Sequence, residues 1–88
     1  MIVSPTFIKF NNMERQVIFG VLDKMDKCGS YTGFFRLEED ARKELKSQMG
    51  YAHQELGIPD LELKNDRVVR VENRVEIIHY IIHPIMLR

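Results

Sequence analysis

The chain has no tryptophan, and a single cysteine, Cys28, among its 88 residues. One sulfur excludes an internal disulfide and any zinc cluster built on paired cysteines, and it suits a reducing, cytoplasmic setting. Glycine (5) and proline (3) are also scarce, while 44% of residues are hydrophobic and 30% charged. That composition excludes disordered and collagen-like chains and leaves enough apolar material for a core. Neither sign of charge dominates: 13 Lys and Arg stand against 13 Asp and Glu, for a formal net charge of zero. No global field therefore draws the protein to nucleic acid, anionic lipid or an acidic partner, and any such binding has to be local. Long hydrophobic runs are missing too. The stretch from Val75 to Leu87 falls short of the ~20 residues that cross a bilayer and carries Glu76, His79 and His83. At the other end MIVSPTFIKF has no basic segment and is interrupted by Pro5, so a signal peptide is not expected.

Catalytic motifs are equally absent. There is no G-x-S-x-G, no glycine-rich phosphate loop and no cysteine paired in sequence with a base. His79 and His83 have a spacing that would place two zinc ligands on one face of a helix. Their context is a strand, however, where four residues span ~13 Å, too far for one metal ion. His53 stands alone, and Glu38, Glu39 and Asp40 read as the solvated first turn of a helix, where acids complement the helix dipole. No catalytic residue, metal ligand or cofactor is nominated, and a non-enzymatic binding protein is expected.

What is present is one small domain spanning residues 1–88. Thr6 to Phe10 reads as an edge strand. Asn11, with Glu14 three positions on, caps an expected helix at about Asn12–Lys27, whose Val17, Ile18, Val21, Leu22 and Met25 fall on one face. A second helix begins at Glu38 with Leu37, Ala41, Leu45 and Met49 recurring every four residues, supported by the pairs Glu38/Arg42 and Glu39/Lys43. It either stops at Gly50 or continues along Ala52 and Leu56 to the stronger terminators Gly57 and Pro59. From Leu61 on the pattern turns to strands: Leu61-Glu62-Leu63, then Val68–Val71, a turn at Glu72-Asn73-Arg74, and a strand from Val75 that is apolar on both sides until Pro84. The expected architecture is α+β, two main helices packed on a small antiparallel β-meander.

Lys64, Arg67, Arg70 and Arg74 lie within eleven residues, with only Asp66 and Glu72 as acids among them. Alternation puts Arg70 on the strand face opposite Val69 and Val71, pointing away from the core. The order of a short strand FIKF, a helix ending VLDKMDK, the helix LEEDARKELKSQMG, a basic hairpin and a closing HYIIHP resembles the winged-helix replication initiators of plasmids and phages. Gly50 matches the glycine that closes the family's second helix, Val68–Val71 and Val75–Tyr80 match the wing, and His83-Pro84 matches a closing Asn-Pro pair. The resemblance implies duplex DNA as partner, with Lys64, Arg67, Arg70 and Arg74 on phosphates and His53 and Gln54 at base edges, in replication initiation or transcription control of a mobile element. The chain departs from the family between Tyr51 and Asn65, where Gly57 and Pro59 fall inside the expected recognition helix. The reading from another class is a small protein-binding module, a phage or mobile-element inhibitor or adaptor of a host protein. For it, the last strand, with Ile78, Tyr80 and Ile82 or their alternates, or the helix 38–56 face is the expected interface, in a homodimer or a hetero-complex; the alternative is a strand in the middle of the sheet whose second face is covered by the N-terminal strand and Phe34–Phe35.

Overall fold

Val17 to Leu22 is apolar at every position, rich in β-branched side chains and interrupted by Gly20, a composition that favours a strand buried on both faces over a one-sided helix. In the computed structural model, which describes residues 7–10 and 13–87, with side chains from Gln16 on, this segment is a strand. The elements are β1 (Phe7–Phe10), β2 (Met13–Asp23), β3 (Ser30–Phe35), α1 (Glu38–Gln54), β4 (Glu62–Lys64), β5 (Arg67–Glu72) and β6 (Val75–Leu87). The expected helix at Asn12–Lys27 is thus corrected to β2 and the turn after it. The capping role given to Asn11, with Asn12, lies outside the described residues. α+β holds, but with one helix among the described residues where two main helices were expected.

All strands pair antiparallel, in the order β1-β2-β6-β5-β4, with β3 also on β2. β1 takes the Met13–Gln16 part of the β2 edge and β3 the Phe19–Asp23 part. β2 and β6 run beside each other from Gln16↔Leu87 to Asp23↔Tyr80, which makes β6 the centre of the sheet. The β2–β3 turn is built on aspartates. Asp23 accepts from the Met25 amide at 2.8 Å, and Asp26 accepts from the Cys28 amide at 3.1 Å and the Ser30 hydroxyl at 2.6 Å. Gly29 follows at φ +67°, a conformation open to glycine at no steric cost. These are Asx-turn bonds that compete with helix, and they explain why the chain reverses here.

The last strand runs through Pro84 to Leu87, where a stop had been expected. The Ile82 amide donates toward the β5 side, to the Asp66 carbonyl at 2.7 Å. Pro84, two residues on, points its nitrogen the same way, beyond the end of β5, where a missing N–H leaves no acceptor unpaired.

α1 lies on one face of the sheet. Val17, Phe19 and Val21 of β2, Tyr80 and Ile82 of β6 and Val68 of β5 meet Ala41, Leu45 and Ala52 there in a buried cluster. Among the positions expected to be core, Ile18 and Leu22 belong to the opposite face by strand alternation, and Leu37 is an exposed N-cap residue. α1 continues past Gly50 to Gln54, so of the two endings the longer is realised and no separate helix occupies 51–63. Gly57, at φ +67°, turns the chain away, with the Ile58 amide returning to the Ala52 carbonyl at 3.1 Å. The molecule measures 48 × 22 × 22 Å with a radius of gyration of 15.0 Å, against ~12 Å for a compact chain of this length.

Candidate interaction surface

The basic hairpin is β5 and β6 with the turn between them. Asn73 and Arg74 both take positive φ, +52° and +66°, which is the two-residue turn whose twist matches paired strands. The structure brings Lys64 and Arg67 together on one side of this hairpin, but each has a carboxylate partner. Lys64 Nζ donates to Glu76 at 2.8 Å, and Arg67 Nη2 lies 3.5 Å from the same carboxylate. The Lys64 bond first, and then the nearby charges, hold the Glu76 carboxyl below its ordinary pKa. Arg70 lies on the other side, 2.6 Å from Glu72. Its Nε donates to the buried His79 Nε2 at 3.3 Å. Arg74 sits at the turn itself. His53 and Gln54, the expected base readers, end α1 rather than begin a helix, and His53 Nδ1 is 3.1 Å from the Ile58 carbonyl.

The remaining histidines have separate structural settings. His79 is 5% exposed. Since Arg70 can only donate, Nε2 of His79 must accept, and Nδ1 carries the proton that reaches Met25 Sδ at 2.7 Å. Burial first, and the Arg70 guanidinium second, depress its pKa. His83 is exposed, and its Nδ1 lies 2.8 Å from the Tyr31 hydroxyl. Among the described residues no group of three or more His, Cys, Asp or Glu is placed to hold a metal ion. Nor is any helix among them long and apolar enough to cross a membrane.

The face of the sheet opposite α1 is the more distinctive surface. Pairing places Ile18 beside Ile85, Gly20 beside His83 and Phe34, and Leu22 beside Ile81 and Tyr31. The Tyr31 ring lies against Gly20, where a Cβ would come 2.5 Å from it, and its centroid is 4.8 Å from that of Phe34, the two rings tilted by 35°. Ile18, Leu22, Ile81 and Ile85 are half-buried, and Phe34 is 56% exposed. Of the expected interface positions, Tyr80 and Ile82 are instead buried beneath α1, at 1% and 5% exposure, and Ile78 is half-buried. The correction is one of strand phase, since Ile81, His83 and Ile85 are the alternates that α1 does not cover. Tyr31 carries no signal of this role in the sequence, whereas Phe34 is expected, with Phe35, over the second face of the last strand. Three residues apart, Tyr31 and Phe34 would fall on opposite faces by simple alternation, and it is the register shift of the β2–β3 pairing between Val21 and Leu22 that brings both onto this one.

Comparison of the chain with protein-family models, with curated proteins and with solved structures finds no match.

Proposed function

We propose that this chain is a small, non-enzymatic protein-binding module that docks through the sheet face left uncovered by α1, and that a second copy of the chain is the occupant. The carrying observation is the half-buried row of Ile18, Leu22, Ile81 and Ile85, extended by the exposed Tyr31 and Phe34. A sheet that is apolar on both faces buries each against another layer, and α1 supplies only one. Zero net charge means that two copies do not repel one another. The exposed Cys28 thiol fits work in a reducing, cytoplasmic compartment.

Duplex DNA is the competing occupant, through Lys64, Arg67, Arg70 and Arg74 in the manner of a winged-helix protein. Three of these cations are matched by Glu76 and Glu72, and α1 has no following helix to enter a groove, so the protein-binding reading is the better supported. Sedimentation equilibrium tests it. The expected result is a species of twice 10.4 kDa at micromolar concentration, returned to monomer by Phe34→Glu with the circular dichroism spectrum retained. A monomer at high micromolar concentration, together with duplex binding whose log K falls with log salt at a slope of roughly −3 to −4, would favour DNA instead.

A further inference from the structure

On the helix side of the sheet, away from the docking face, α1 and the segment Asp60–Asn65 bound two adjoining concavities of about 350 and 290 Å³ that share Lys46. The helix wall runs from Arg42 to His53, about 17 Å at 1.5 Å per residue, the length of roughly five residues of extended chain. At one end the wall is cationic. Arg42 is held by Glu38 at 2.7 Å and Lys43 lies 3.8 Å from Glu39, but Lys46 has no carboxylate within 4.0 Å among the described residues. At the other end Met49 and Leu61 are apolar, and Asp60 is the acid among the lining residues.

Gly50 lies between these ends, in the interior of α1, and a Cβ there would meet no atom within 4 Å. A glycine in a helix interior costs about 1 kcal/mol relative to alanine. With no neighbour requiring it, this one leaves bare backbone facing the groove, which is how glycine permits close approach of a ligand. The lining contains no Phe, Tyr or Trp on which a nucleobase could stack.

We propose that this groove binds an extended acidic peptide segment of another protein, about five residues long. A carboxylate of the segment lies on Lys46, the wall cation without a carboxylate partner among the described residues, and an apolar side chain is laid over Gly50 against Leu61. Charge complementarity selects the occupant, and Asp60 fixes its direction by repelling a carboxylate from the far end. This site is separate from the docking face, so either can fail without the other.

The test uses fluorescence anisotropy with a panel of labelled pentapeptides holding three Glu and two Leu in every order, and their Lys-for-Glu counterparts. Saturable binding of at least one acidic member is expected, with no binding of the counterparts. Lys46→Glu should weaken it at least tenfold. Gly50→Leu should abolish it by filling the groove while leaving the melting temperature equal or higher, since leucine is the better helix former. Failure of every acidic peptide to bind beyond its counterpart overturns the proposal. So does binding indifferent to both substitutions, or tighter binding of a single-stranded oligonucleotide with the same dependence on Lys46.

Discussion

At Arg74 a side chain with a Cβ is held at φ +66°, in a turn that requires positive φ at both central positions. Left-handed backbone costs an L-residue about 1–2 kcal/mol, offset for glycine in part by the entropy it loses on folding. Arg74→Gly is therefore expected to raise stability by roughly 0.5–1 kcal/mol, read as a higher denaturant midpoint at unchanged slope. His79 supplies the second residue-scale expectation. In the fold its Nε2 accepts from Arg70, so protonation would set two donors face to face. Burial and Arg70 place its folded pKa below the ordinary 6.5. A base whose pKa is depressed by folding lends stability that is whole above the unfolded value and is lost as pH falls through the folded one. The unfolding midpoint should drop between pH 7.5 and 5.5, and His79→Gln, which keeps an acceptor for Arg70, should remove that part of the slope.

α1 is the element most legible from sequence. Its four-residue recurrence, acidic first turn and i,i+4 pairs all point the same way, and Ala41, Leu45 and Ala52 are its buried face. Leu45 has no exposure at all. Leu45→Ala should cost about 2–5 kcal/mol by combined transfer and cavity effects, and calorimetry of the variant should show a melting temperature lowered by at least ten degrees or no transition. β2 was illegible for a physical reason. When every position from Val17 to Leu22 is apolar, a helical arc can always be drawn through some of them, and Val17, Ile18, Val21 and Leu22 formed one. What the arc omitted was decisive: Phe19 is 8% exposed and belongs to the core. The hairpin of β5 and β6 was legible from Asn73 and the valine run, whereas the extent of β6 was not. Whether proline ends a strand depends on which way its nitrogen points, and that is set by a neighbour far away in sequence. The cations of the hairpin were visible as a cluster, but their neutralisation by Glu76 was not, because it depends on register across β6.

At the scale of the whole molecule, the position of β6 governs how the structure can be reached. The strand that comes last in chain order lies between β2 and β5, and its pairs with β2 join residues as far apart as Gln16 and Leu87. Long loops must close before such contacts repay their entropy, so refolding is expected in the millisecond-to-second range typical of non-local β-topologies, measurable by stopped-flow dilution from denaturant. The same feature bears on synthesis. While a ribosome is still extending the chain, β1, β2 and β3 can form a hairpin array and α1 can coil, but no sheet centre exists for them to close on. Until β6 emerges, Val17, Phe19 and Val21 have only α1 to shield them. Those side chains stay open to solvent and to other chains until β6 has been made.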